Sequence, residues 1–309
     1  MRVLVTGGAG FIGSHVTKQL IDAGYKVLVY DDLSRGFREL VDPRAEFVQA
    51  SILDKEKMVS ALGGVEAVIH MAAFIVVPES VEKPDLYFHN NVDGTKVLLE
   101  AMKQAEVRKI IFSSSATVYG TLDKLPLTED SLVKQAANPY GQTKIEMEKL
   151  IQAEHEKNDL SAVILRYFNP FGPNELHKPE THAVPNFIKA VFDKKPIPLY
   201  WKGEQTRDFI YVEDLAAAHL AVINLIGFNV FNVGTGEGTK VIDIVHKIFD
   251  IVGYEVPIKD LGERHGDVPA LYTSAEKIKK EADWEAKYNL EKGLEKTVEF
   301  FRNLPKEKI

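Results

Sequence analysis

A strand-like run, RVLVT, leads straight into TGGAGFIG at residues 6–13, and then into a helical pattern with Ile12, Val16 and Leu20 at four-residue spacing. Few features constrain a chain more. Gly7 permits a tight turn, Gly10 lets another group approach the backbone, and Gly13 allows close packing of helix on strand. The helix that starts there offers N–H groups and a partial positive charge to an anion. A strand, glycine turn and helix in this order open a βαβ unit, which needs a parallel sheet around it. A glycine turn without a ligand satisfies the same spacing, so other parts of the chain must decide.

The first half supplies that sheet. KVLVY, AEFVQA, AVIHM and KIIFSS read as further strands, and SAVILRY at 161–167 as a sixth. Most are continuous apolar runs, as expected for parallel strands covered on both faces. Helical patterns lie between them, one over Asp85–Gln104 with Val97, Leu98, Ala101 and Met102 on one side. The fold class is α/β, a Rossmann-type doubly wound parallel sheet. After Asn169 the texture changes, and NPFGPNELHKPE reads as a long loop. Helical patterns follow at 183–193, 214–225, 240–252 and 291–303, with short strands near 207–211 and 229–233. The expectation is a dinucleotide-binding domain over 1–169 and a smaller α/β lobe over 170–309, with the chain crossing between them.

Composition limits the function classes. The net charge of −7 argues against a nucleic-acid binder. The chain has no cysteine, which excludes disulfides, thiolate catalysis and Cys-based metal sites; no metal is expected. No signal peptide is expected from the opening residues, and no run reaches the ~18 apolar residues of a membrane span. A cytoplasmic setting is expected.

The second strand, KVLVYDD, ends in Asp31 and Asp32, 18 residues after Gly13. An acid there accepts hydrogen bonds from an adenine ribose and repels a 2′-phosphate, which points to NAD rather than NADP. PYGQTK at 139–144 opens a helix after a proline, and Tyr140 and Lys144 share one face at i, i+4. A phenol is a poor base at neutral pH, and a neighbouring ammonium favours the phenolate. Lowering its pKa from ~10 to ~7 takes about 4 kcal/mol. Tyr140 then accepts a proton from a carbinol while hydride leaves for the cofactor. Ser115 ends the fifth strand, where ligands bind open α/β sheets. Alone, a Y-x-x-x-K is a common surface pair. Ser115, Tyr140 and Lys144 behind TGGAGFIG form a far more specific set.

Over essentially its whole length the chain resembles the extended short-chain dehydrogenase/reductase family, and within it the UDP-glucose (UDP-galactose) 4-epimerases. TGGAGFIG, YDDLSRG, VIHMAA, ESVEKP, NNVDGT, SSSATVYG, NPYGQTK, RYFNPFG, QTRDFIYVEDLA and GERHGDVP carry the resemblance. It implies that Ser115, Tyr140 and Lys144 are catalytic. It places Gly7, Gly10, Phe11, Ile12, Gly13, Asp31, Asp32 and the turn Leu33, Ser34, Arg35, Gly36 around the adenosine side of NAD. Ser51 and Ile52 would meet the adenine, and Ala72, Ala73 and Phe74 would line the pocket after the fourth strand. Asn90 and Ser113 would lie near the nicotinamide, with Tyr167 and Phe168 at the end of the sixth strand. For the substrate, the resemblance implies Asn169 on a phosphate, Arg207 and Arg264 on the pyrophosphate, Asp267 on a uridine ribose hydroxyl and Tyr200 against uracil. Ser115 and Tyr140 would meet the sugar, and His182 lies where relatives carry a substrate-contacting polar residue. Taken singly, each arginine reads equally as a surface ion-pair residue and each aromatic as core. A homodimer through 85–104 and 139–157 is also implied, without membrane or nucleic-acid partners.

Some positions depart from the family pattern. Ser51 stands where an Asp is usual, Ile75 where some members have a lysine, and Trp201 where a glycine beside the uracil is common. The implied reaction is epimerisation at C4 of a UDP-hexose through a 4-keto intermediate. Tyr140 takes the C4 hydroxyl proton, hydride passes to NAD, the ketose turns over on its held UDP handle, and hydride returns. A nucleotide-sugar 4,6-dehydratase would need an acid and base just after the serine, where this chain has Ala116 and Thr117. A non-catalytic NAD-binding regulator is the reading of another class, and the intact trio argues against it. The sugar stays open among glucose, N-acetylglucosamine and glucuronate forms, with Leu271, Val76 and Val77 expected near it.

Overall fold

The computed structural model describes residues 1–120, 124–133, 135–176, 182–263 and 268–305. Six strands in the first half, β1 (Arg2–Thr6), β2 (Lys26–Asp31), β3 (Glu46–Gln49), β4 (Ala67–His70), β5 (Lys109–Ser115) and β6 (Ser161–Tyr167), build the sheet. A seventh, Phe228–Val233, pairs in parallel with β6. The order is Phe228–Val233, β6, β5, β4, β1, β2, β3. From β1 the chain winds one way through β2 and β3, then returns to place β4 on the other side. The loops after β1 and β4 therefore diverge at the carboxyl edge, which opens a crevice there.

Alternate residues of each strand feed two cores. Val3, Val5, Val29, Ile69, Ile111 and Leu165 pack beneath helix α1 (Phe11–Asp22) and the helix Val212–Val222. Leu4, Leu28, Val68, Ile110, Phe112 and Ile164 pack beneath Gly94–Gln104 and Pro139–Asn158. A third core, with Phe187, Ile188, Ile244, Ile248 and Leu294, belongs to the helices that follow β6. The chain leaves the sheet after β6, builds part of this third core, and comes back in Phe228–Val233. This last strand is six residues long and lies in the main sheet. Helices at Ala183–Phe192, Val212–Val222, Val241–Val252 and Leu290–Asn303 match the sequence patterns.

The stretch expected as one helix over 85–104 differs. It runs as α-helix over Pro84–Tyr87, as π-helix over Phe88–Asp93 and as α-helix again over Gly94–Gln104. A π segment rotates the residues within it, and here it buries Asn91 completely. Gly94 sits against Ile52, and a Cβ there would lie 2.6 Å from the Ile52 Cγ2. Among the described residues no helix is long and apolar enough to cross a membrane.

Candidate active site

The carboxyl edge of the sheet carries a cleft of about 950 Å³ that runs from the β1–α1 turn to the segment around Arg207. Its first wall is the glycine turn. Gly7 has φ +73°, and a Cβ on it would lie 2.8 Å from the Ala72 backbone nitrogen. A Cβ on Gly13 would collide with the Gly7 carbonyl oxygen. Gly7, Gly10, Phe11, Ile12 and Gly13 all face the cleft, at the amino end of α1. This cradle, which side chains would fill, fits a dinucleotide pyrophosphate.

Asp31 and Asp32 close one end of the cleft with Ser34, Arg35, Gly36 and Ile52. Asp31 Oδ2 accepts from the Ala9 backbone N–H at 3.0 Å and Oδ1 from that of Leu33 at 2.9 Å. Burial pushes its carboxyl up and those N–H groups pull it back. Asp32 accepts from the Ser34 N–H at 2.8 Å. Two expected contacts are not in the wall. Leu33, at φ 63°, turns its side chain onto the core under α1. Ser51 turns its hydroxyl to the Leu53 N–H at 3.3 Å, so Ile52 alone represents that pair.

Ala72, Ala73 and Phe74 line the opposite wall together with Asn90. A buried chain of polar groups fixes them. The Thr95 hydroxyl donates to the Asn91 carbonyl at 2.6 Å, so it accepts from His70 Nε2–H at 3.0 Å. His70 Nδ1 then accepts from the Thr6 hydroxyl at 2.9 Å, and Thr6 Oγ1 accepts the Met71 and Ala72 N–H groups at 3.1 and 3.2 Å. Burial pulls His70 down to about 3, which keeps it neutral in this role. Asn91 uses its whole amide. Its Oδ1 accepts from the Phe74 N–H at 2.8 Å and from Asn90 Nδ2 at 2.9 Å. Its Nδ2 donates to the Phe74 carbonyl at 3.0 Å and to Thr143 Oγ1 at 3.1 Å. The Thr143 hydroxyl donates to the Tyr140 carbonyl at 2.7 Å. Asn91 thus ties the Ala72–Phe74 wall to the helix of Tyr140; only its place in NNVDGT marks it in the sequence.

Pro139 and the Asn138 cap start the long helix, with Asn138 Oδ1 accepting the Gly141 N–H at 2.9 Å. Tyr140 and Lys144 then face the end of β5, and Ser113, Ser115, Tyr140 and Lys144 all line the cleft. The Thr117 hydroxyl donates to Ser115 Oγ at 3.1 Å, and Ser115 hydrogen-bonds the Tyr140 phenol. Lys144 Nζ donates to the Ser113 carbonyl at 2.7 Å and lies 6.0 Å from the Tyr140 ring centre. Burial pulls Lys144 down to about 7, against the opposing charge of Glu148. Burial likewise pushes Tyr140 up to about 12, opposed by Ser115. Ser115 does not outweigh this desolvation, so the lowering expected from Lys144 together with a cationic nicotinamide is not delivered by the side chains alone.

Behind this trio lie two buried networks. Glu148 accepts from Ser114 and pairs with Arg166 at 2.7 Å. On the other face of the sheet, His219 Nδ1–H donates to the Leu215 carbonyl at 3.0 Å, so Nε2 accepts from the Tyr167 hydroxyl at 2.5 Å. Tyr167 in turn accepts from the Ser113 hydroxyl at 2.6 Å.

At the far end the cleft is lined by Phe168, Asn169, His182, Tyr200, Arg207 and Leu271. Asn169 Oδ1 is buried without a hydrogen-bond partner, an acceptor left open in a residue of the cleft wall. Glu175, absent from the sequence reading, lines the cleft with Oε1 2.6 Å from His182 Nδ1 and Oε2 unpartnered. Gln205 Oε1 is unpartnered too. No spacing or periodicity singles out either residue. Trp201 is not in the wall. It lines a small separate hollow with Lys202, both at left-handed φ values of 49° and 52°, the conformation a glycine would adopt freely. Arg264 and Asp267 lie outside the described residues. Among those described, no group of acids and histidines could hold a metal ion.

The sequence profile of the NAD dependent epimerase/dehydratase family matches residues 3–234. The UDP-glucose 4-epimerase of Bacillus subtilis is 39% identical over 319 aligned positions, covering 94% of each chain. The crystal structure of a UDP-glucose 4-epimerase from Thermotoga maritima with UDP-glucose superposes with a TM-score of 0.92 at 37% identity, over 98% of this chain and 99% of that one. A dTDP-glucose 4,6-dehydratase from Streptomyces venezuelae, with NAD bound, superposes at 0.91 with 29% identity, over 98% and 97%. Shape thus does not separate these two reactions, and the residues of the site must. With the glycine cradle, the acid at the end of β2 and the Ser-Tyr-Lys set in one cleft, the chain belongs to the NAD dependent epimerase/dehydratase family.

Proposed function

We propose that the protein interconverts UDP-glucose and UDP-galactose by epimerisation at C4. The observation that carries this is the Thr117–Ser115–Tyr140 line of hydroxyls beside Lys144, with Ala116 and Thr117 where a dehydratase needs an acid and a base. Gly7 to Gly13, Asp31, Ser34 to Gly36 and Ala72 to Phe74 would hold NAD. Bound there, NAD supplies a reversible hydride acceptor and a positive charge that favours the phenolate of Tyr140. Tyr140 takes the O4 proton and gives it back on the other face of the sugar. Ser115 holds O4, and Lys144 stabilises the phenolate. Asn169 and Arg207 would grip the UDP, so that binding energy far from C4 leaves the hexose free to turn.

The same reading assigns 1–169 to the cofactor and most of 170–309 to the nucleotide sugar. Two copies would pair through helices within 85–104 and 139–157; the exposed Leu86 and nearby Val81 add apolar surface on that side. A cytoplasmic setting fits the chain's lack of cysteine. A panel of nucleotide sugars, assayed without added NAD, tests the substrate. UDP-glucose formed from UDP-galactose supports the proposal. A 4-keto-6-deoxy product from dTDP-glucose, with no UDP-glucose from UDP-galactose, would sink it. Faster turnover of the UDP-N-acetylhexose pair or of the UDP-glucuronate pair would move the assignment to that sugar.

A further inference from the structure

Strand order puts β1 between β4 and β2, so the loops after β2 and β4 flank the glycine turn on either side. One ion pair joins these two loops directly. Arg35 Nη2, from the turn after β2, lies 2.7 and 2.9 Å from the two carboxylate oxygens of Glu79. Glu79 sits on the short helix Val77–Glu82 that follows β4. The pair is built rather than casual. The Arg35 guanidinium lies 5.1 Å from the centre of the Phe74 ring, which packs edge-on against Tyr87. The Tyr87 hydroxyl, on a fully buried side chain, is 3.0 Å from Glu79 Oε2 and 2.8 Å from the Val76 carbonyl. Lys83 Nζ adds a second cation 3.6 Å from Glu79 Oε1. A carboxylate with this much support stays in place when the guanidinium moves away and returns.

We propose that Glu79 is a positioning residue for cofactor retention: it holds Arg35 across the cleft as a strap, and dinucleotide leaves only after the Arg35–Glu79 pair opens. Arg35 and Phe74 line the cleft, whereas Glu79 stands outside it and acts through Arg35. An enzyme whose cofactor is regenerated in every cycle gains from slow release, and a strap slows release without touching the reacting atoms. The pair is partly exposed, with 36% of the Arg35 side chain and 18% of that of Glu79 accessible. Its strength therefore falls with salt, and so should retention.

This inference rests on the reading of the cleft as the NAD site, and the experiment separates the two. Full-length protein is loaded with radiolabelled NAD and chased with excess unlabelled NAD, and the release rate is read at low and high KCl. Glu79→Gln and Arg35→Gln should each release label about two- to fivefold faster than the native protein, the upper part of the range a partly exposed charge pair spans. The double variant should be no faster than either single one. Native release should quicken with KCl, and that of Glu79→Gln should not. The exchanged pair Arg35→Glu/Glu79→Arg should regain slow release, which loss of local packing would not allow. Native-like release from Glu79→Gln, together with faster release from Asp31→Asn, would overturn the strap and leave the NAD site in place. Native-like release from Asp31→Asn as well would overturn both.

Discussion

The proposed reaction asks Tyr140 to accept a proton, yet burial alone holds its phenol up near 12. A positive charge beside it is therefore required, and in the proposed reaction Lys144 shares that role with the nicotinamide the cleft would hold. Tyr140→Phe should lower kcat by about a thousandfold or more with KM for the UDP-sugar little changed, since the lost interaction acts only on the reacting proton. Lys144 itself is held at about 7, well below the ordinary lysine value. The folded state then sheds this proton near pH 7 while the unfolded chain keeps it to about 10.4. The unfolded state binds more protons in that window, so this residue makes stability rise with pH from about 7 to about 10. Lys144→Met should remove that rise in a urea-melt series across pH and abolish turnover without lowering the melting temperature at pH 7. The trio was legible because Ser115, Tyr140 and Lys144 each sit in a patterned string. Glu175 and Gln205 were not, because a buried unpartnered carboxylate or amide is a property of packing that no local spacing encodes.

At the scale of elements, the strands announce themselves through continuous β-branched runs, and β1 to β6 follow them closely. The π-helical turn at Phe88–Asp93 does not. Its cause is a set of contacts with residues distant in the chain, chiefly Phe74 and Thr143 on Asn91 and Ile52 against Gly94. Asn91→Leu keeps the bulk and removes four hydrogen bonds. It should cost about 2–4 kcal/mol of stability from the buried partners left unpaired, and in variants that still fold it should weaken NAD binding more than UDP-sugar binding. Calorimetric titration of each ligand checks the split. The placement of Phe228–Val233 beside β6 escaped the sequence for a related reason. A six-residue apolar strand fits any open sheet edge, and only the return of the chain from the third core selects this one.

Across the whole molecule, two histidines are buried in neutral form on opposite faces of the sheet, His70 held down to about 3 and His219 to about 4. The unfolded chain takes up both protons below about 6.5, so their contribution to stability is full above that pH and is lost as pH falls toward 4. His219→Gln should flatten the acid side of the stability profile by about 1.4 kcal/mol per pH unit between roughly pH 6 and 4.5. Glutamine keeps an acceptor for Tyr167, and denaturant melts at a series of pH values read the slope. The two halves of the molecule meet at one cleft, and one event defines the proposed chemistry there: hydride leaves C4 and returns to the same carbon. Incubation with UDP-galactose deuterated at C4 tests this directly by mass spectrometry and NMR of the product. UDP-glucose that retains the deuterium at C4 is the predicted result. UDP-glucose carrying solvent hydrogen at C4, or UDP-galactose recovered unconverted, would contradict it.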